Sequence, residues 1–167
     1  MTLRLILTRH AKSDWNNPLD TDHQRPLNDR GRTAAPRIGQ WLKAQGYLPR
    51  AALVSDATRT RETWALVASE FGAEVPVEFV PALYHASPDV MLGVLLEARA
   101  DTVMMIGHNP GIAGLAAALV RTRPAHPGFG RYPTCATLVV DFDATDWAAI
   151  RPGTGEIREF IVPRDLD

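Results

Sequence analysis

Leu3-Arg4-Leu5-Ile6-Leu7-Thr8-Arg9-His10 is an apolar run that turns polar at its end. It lacks the regular alternation of a half-exposed strand, so it reads as a strand buried on both faces, as in parallel sheets covered by helices. The same pattern returns twice. Ala51 to Ser55 runs into Asp56-Ala57-Thr58-Arg59, and Asp101 to Ile106 runs into Gly107-His108-Asn109-Pro110. Segments of helical period separate these runs. Strands alternating with helices predict an α/β chain, a three-layer α/β/α sandwich around a mainly parallel sheet. At 167 residues the chain fits one domain spanning 1–167.

The intervening segments carry their own signals. Asn28 to Gln45 places Ile38, Trp41 and Leu42 at helical spacing and ends at Gly46, a C-cap residue. Pro36 interrupts it, so the helix either starts near Thr33 or bends at the proline. Thr58 to Phe71 is helical and stops at Gly72, and Val77 to Val80 is a short strand. Ser87-Pro88-Asp89 combines a capping hydroxyl, a proline at the first helical position and an acid favoured by the dipole. The helix it starts is predicted to reach Ala100. Pro110 to Val120 is a small-residue helix, 121–134 a long loop, and Ala136–Phe142 and Ile157–Val162 two late strands.

Bulk properties narrow the function. Net charge is −1, with no basic excess to suit a nucleic-acid partner. The single cysteine, Cys135, cannot form an internal disulfide and reads as a small buried residue. No run is long enough for a membrane span, and Met1 to Thr8 is too short for a signal segment, so a soluble cytoplasmic protein is expected. Oligomeric state leaves no mark in the sequence.

The polar residues gather at strand ends. In an open α/β sheet the carboxyl ends of parallel strands share one edge, where ligands bind. Three segments thus deliver Arg9, His10, Arg59 and His108 to one edge. Guanidinium forks suit phosphate oxygens, and a charged imidazole would add a further donor. No carboxylate accompanies the histidines at metal-ligand spacing, and arginines crowded beside them would repel a divalent cation. No metal and no organic cofactor are therefore expected. A neutral histidine among such cations is a suitable nucleophile for displacement at phosphorus. His10 neutral and His108 charged would give a bell-shaped pH profile.

Arg9-His10-Ala11-Lys12-Ser13-Asp14-Trp15-Asn16 resembles the Arg-His-Gly signature of the histidine phosphatase (phosphoglycerate mutase-like) superfamily, with Ser13, Trp15 and Asn16 at matching spacing. Ser55 to Thr63 is similar to its second motif, a serine followed four residues later by arginine and eight later by threonine. Gly107-His108-Asn109 looks like the third. The short length, Arg25-Pro26-Leu27 and Tyr132-Pro133-Thr134 are similar to the SixA-like phosphohistidine phosphatase branch. The resemblance implies a metal-independent phosphatase forming a phosphohistidine on His10. Arg9, Asn16, Arg59 and His108 would hold the phosphate, with Ser13, Lys12 and His85 as further candidates. Its partner would be a phosphorylated protein or a small-molecule phosphate.

Two departures matter. Ala11 replaces the usual glycine and is expected to add a methyl beside the phosphate. The general acid that many members carry after the third strand has no counterpart in Pro81 to Ser87, where His85 is the one candidate donor and no carboxylate precedes Asp89. This favours a phosphoramidate, whose nitrogen departs readily. The alternatives are a broad small-molecule or sugar-phosphate phosphomonoesterase using His85, and a non-catalytic phosphate-binding or partner-binding module. Arg61 is expected in solvent or paired with Glu62 or Asp56, and His23 and His126 at the surface. Trp15, Trp41, Trp64 and Trp147 are expected to pack rather than to stack on a ligand.

Overall fold

Chain order in the computed structural model, which describes all residues Met1–Asp167, is β1 (Thr2–Arg9), α1 (Asp29–Gln45), β2 (Ala51–Ser55), α2 (Thr58–Ala68), β3 (Val77–Val80), α3 (Pro88–Leu96), β4 (Thr102–Gly107), α4 (Gly111–Leu119), β5 (Thr137–Asp143) and β6 (Glu156–Ile161). Short 3-10 turns lie at Asp22–Gln24, Pro81–Leu83, Trp147–Ala149 and Pro163–Leu166. The six strands form one sheet in the order β3-β2-β4-β1-β5-β6. β3, β2, β4 and β1 are mutually parallel, and β5 and β6 join antiparallel at one side.

The missing alternation in β1 has a direct cause. Leu3, Leu5 and Leu7 pack into one apolar cluster with Met91, Leu95, Ile112 and Leu115 of α3 and α4. Ile6 points to the opposite face, into a second cluster with Ile38 and Leu42 of α1 and Trp64 and Val67 of α2. β4 divides the same way, Val103 and Met105 to the first cluster, Met104 and Ile106 to the second. Successive side chains of a strand alternate faces, so a sheet covered on both sides buries every position.

Helix boundaries show where propensity yields to local hydrogen bonding. α1 begins at Asn28, whose Oδ1 accepts the Gly31 N–H over 2.9 Å, and runs unbroken through Pro36 to Gly46 at φ 78°. The start near Thr33 is thus corrected. α2 ends at Ala68 rather than Phe71, because the Glu70 and Phe71 amides reach back three residues, to Val67 and Ala68. α3 ends at Leu96 rather than Ala100 for the same reason, with Glu97 bonded to Val94 and Ala98 to Leu95. Such tightening ends a helix whose last carbonyls have no cap. No helix is long and apolar enough to cross a membrane.

Candidate active site

Register builds the site. Arg9 on β1 lies opposite Gly107 on β4, and Val54 on β2 opposite Ile106. The residues that follow each strand therefore emerge side by side, and the His10 and His108 rings stand 5.3 Å apart. They line a cavity of about 230 Å³ together with Arg9, Lys12, Ser13, Trp15, Asp22, Arg25, Arg59, His85, Asn109 and Thr134.

Each side chain is held from behind. His10 Nδ1 donates to the Ala11 carbonyl over 2.7 Å, which leaves Nε2 as the free lone pair. Burial lowers the His10 pKa to about 3, aided by Arg9, Arg59 and Arg25 and opposed by the Ala11 hydrogen bond. Ser55 Oγ lies 2.7 Å from His108 Nε2 and accepts the Ala57 N–H at 3.4 Å, so it ties the ring to the end of β2. Burial, then the neighbouring His10, Arg59 and His85, lower His108 to about 2. The direction is opposite to the imidazolium expected from the sequence, because burial and the neighbouring cations disfavour a charged His108 ring. Thr63 Oγ1 accepts the Ala11 N–H over 2.9 Å and donates to the Arg59 carbonyl over 2.7 Å, tying α2 to the turn after β1. The four-residue spacings of Ser55, Arg59 and Thr63 put one partner on His108, one cation in the cavity and one clamp on Ala11.

Three buried side-chain nitrogens of the chain lack any hydrogen-bond partner: Arg9 Nε, Arg59 Nε and His108 Nδ1. All three belong to residues lining this cavity. A buried polar group left unpaired costs about 1–3 kcal/mol, and all three such groups belong to residues of this one site.

The remaining candidates divide. Lys12 is exposed and lines the cavity, and Ser13 is buried there, its Oγ accepting Arg25 Nη1 over 2.6 Å. His85 lines it with φ 50°, a left-handed backbone rare outside glycine. Asn16 is exposed and outside the lining, its main-chain N–H bonded to Asp14 Oδ1 at 2.7 Å, so the structure does not bring it to the others. Ala11 is wholly buried in the second cluster with Leu27 and Ile38, so its methyl fills core rather than the phosphate site. Cys135 is buried, which pushes its thiol up to about 12.

Five lining residues, Trp15, Asp22, Arg25, Asn109 and Thr134, lie outside the set of site residues expected from the sequence, though the Asp20–Arg25 loop is expected at the mouth. Arg25 binds Ser13, Asp22 and the Asp14 carbonyl. Its guanidinium lies 3.4 Å from the centre of the Trp15 ring, so Trp15 is an exposed rim residue rather than a core one. Asp22 supplies a carboxylate beside His85 after all, from a segment far upstream of β3. Its Oδ2 lies 3.1 Å from Arg59 Nη2, 3.2 Å from His85 Nε2 and in contact with the Tyr84 hydroxyl. Burial opposes ionisation, but hydrogen bonds from Tyr84, Arg25 and Arg59 hold the carboxyl well below the usual range. His23 joins the same group, edge-on to Tyr84 and 3.0 Å from Asp56. Arg61 donates to the Asp56 carbonyl and covers the Phe79 ring.

Comparison with known proteins identifies a family. Residues 5–91 match the model of the histidine phosphatase superfamily (branch 1). An uncharacterised chloroplastic protein of Arabidopsis thaliana is 38% identical over 119 residues, covering 65% of this chain and 55% of its own. An uncharacterised protein of Mycobacterium tuberculosis (strain H37Rv) is 31% identical over 163 residues, 93% of this chain and 99% of its own. Among solved structures, the protein histidine phosphatase SixA complexed with tungstate superposes with a TM-score of 0.80 at 21% identity, covering 99% of this chain and 100% of that one. With its strand-end histidines and arginines in one anion-sized cavity, the chain belongs to the histidine phosphatase superfamily, branch 1.

Proposed function

We propose that this phosphatase removes phosphate from phosphohistidine, with His10 as nucleophile. The observation that carries the reading is one cavity that Arg9, Arg59 and His108 line together with His10, the two imidazole rings 5.3 Å apart. An entering phosphoryl group would sit among the Arg9, Arg59 and His108 side chains that line the cavity, the fixed charge stabilisation that phosphoryl transfer requires. His10 Nε2 then attacks phosphorus in line while Nδ1–H stays on the Ala11 carbonyl. The bond from phosphorus to the leaving nitrogen breaks with its electron pair going to nitrogen. Water hydrolyses the phosphohistidine on His10 in the second step.

Asp22 supports the nitrogen leaving group. It is the one carboxyl group lining the cavity, and Tyr84, Arg25 and Arg59 keep it ionised, so it carries no proton to give an alkoxide. A leaving imidazole needs less help. A second reading, a broad phosphomonoesterase, rests on His85, which lines the cavity and faces the Asp22 carboxylate. A phosphohistidine peptide and an alkyl phosphate ester, offered to the wild type and to His85→Ala, separate the two. Faster turnover of the peptide, surviving His85→Ala, supports the first reading; faster turnover of the ester, lost in His85→Ala, overturns it. Radiolabel from either substrate is expected to be trapped on His10 and to vanish with His10→Ala.

A further inference from the structure

We propose that an arginine-lined groove beside the catalytic cavity docks an acidic protein segment that carries the phosphorylated histidine. This rests on the phosphohistidine reading above and adds what selects the substrate. The groove, about 740 Å³, is larger than the catalytic cavity and meets it at Thr134, which lines both. Arg30 at the start of α1, Arg131 in the 121–134 loop and Arg164 in the C-terminal 3-10 turn border it from three separate parts of the chain. All three are exposed, and none forms an ion pair. The one carboxylate in the groove, Asp165, is taken up by His126 Nε2 at 2.7 Å and the Val162 N–H at 2.9 Å. Positive charge is thus concentrated here in a chain whose net charge is −1.

The groove is fixed to the chemistry. Asn109 Nδ2, from the cavity wall, donates to the Arg131 carbonyl over 2.8 Å, and Arg9 Nη1 donates to the Tyr132 carbonyl over 3.2 Å. Tyr132 is wholly buried and its hydroxyl donates to the Leu7 carbonyl on β1. A loop anchored this way presents its cations without first having to be ordered, which lowers the cost of binding. A histidine side chain reaching into the cavity leaves its backbone at the rim, and the residues flanking it meet the groove. Carboxylates there complement three guanidinium groups, which raises encounter rate and sets partner choice. A single small phosphate held in the cavity would leave the groove unused.

The test uses two synthetic phosphohistidine peptides of equal length, one flanked by glutamates and one by lysines, with p-nitrophenyl phosphate as a probe too small to reach the groove. Wild-type kcat/KM is expected to favour the glutamate peptide by about tenfold at low salt, the scale of three rim ion pairs, and salt should erase the preference. Arg30→Glu/Arg131→Glu/Arg164→Glu should reverse it toward the lysine peptide while hydrolysis of p-nitrophenyl phosphate stays within about twofold. Equal use of both peptides by the wild type, or a preference unmoved by the triple variant, overturns the proposal. So does a preference for fructose 1,6-bisphosphate over either peptide that the triple variant abolishes, since the groove would then serve a small polyanion. Failure of every probe to turn over strikes the His10 reading instead.

Discussion

Asp22 grips Arg59 twice: Arg59 Nη1 donates to the Asp22 carbonyl over 2.7 Å, and Nη2 lies 3.1 Å from its Oδ2. The cation that should face phosphate is therefore held by an internal anion, and only Arg59 Nε is left unpaired. A fixed carboxylate beside an incoming oxyanion repels it, which favours release of the product as much as it weakens capture of the substrate. Asp22→Asn keeps the side-chain shape and removes the charge. Inhibition by inorganic phosphate is expected to tighten about fivefold or more, read as a fall in its inhibition constant. Weaker inhibition would mean that Asp22 serves only to order Arg25 and Arg59.

Ser55 is the hydrogen-bond partner of His108 Nε2, 2.7 Å away. Ser55→Ala removes the hydroxyl that meets Nε2 and leaves a buried ring nitrogen unpaired. A drop of roughly tenfold to a hundredfold in kcat/KM for p-nitrophenyl phosphate is expected, with the circular dichroism spectrum unchanged, as for weakening one transition-state donor. Full activity would detach Ser55 from the catalytic role of His108.

Stability should fall in acid with a sign set by the two cavity histidines. Their folded values, about 3 for His10 and about 2 for His108, lie below the ordinary histidine value of 6.5, so below neutrality the unfolded chain binds protons that the folded chain does not. The urea midpoint is expected to drop steadily as pH falls from 7 toward 3, each histidine costing up to about 1.4 kcal/mol per pH unit. Asp22, depressed by its donors, contributes stability above the usual carboxylate range that is lost as pH falls through it. Replacing His108 with Gln should flatten the upper part of this slope. A midpoint constant between pH 7 and 4 in the wild type would contradict the burial of neutral rings.

Gly31 is where α1 passes beneath the turn after His10. A Cβ there would stand 2.2 Å from the Lys12 carbonyl oxygen, which also accepts the Asn28 N–H over 3.0 Å. Gly31→Ala is expected to lose about 1–3 kcal/mol of stability and to slow turnover, because Lys12 and the His10 turn must shift. Gly93→Ala on α3 meets nothing within 4 Å and is the control, expected to be neutral or stabilising by about 0.5–1 kcal/mol in thermal unfolding.

The strands and the cationic edge could be read from the chain because their signals are local. Leu3 to Thr8 announces a strand covered on both faces, and the strand-end placement of His10 and His108 follows from the parallel order. Helix ends were less legible: Phe71 and Ala100 carry nothing that says the last turn tightens. Pro36 looked like a boundary because propensity counts only its own lost hydrogen bond, whereas α1 is held by Ala35, Ile38 and Leu42 in the second apolar cluster.

By itself the sequence determined the layered α/β architecture and which residue types meet at one edge, since alternation, caps and strand-end polarity are properties of neighbours along the chain. Only the tertiary structure decided that Asn16 stays outside the cavity, that Ala11 faces the core, and that Asp22, Arg25 and Trp15 complete the wall. Those outcomes depend on contacts between segments tens of residues apart, where a carboxylate, a guanidinium and a phenol hydroxyl find one another only after the sheet has set their positions.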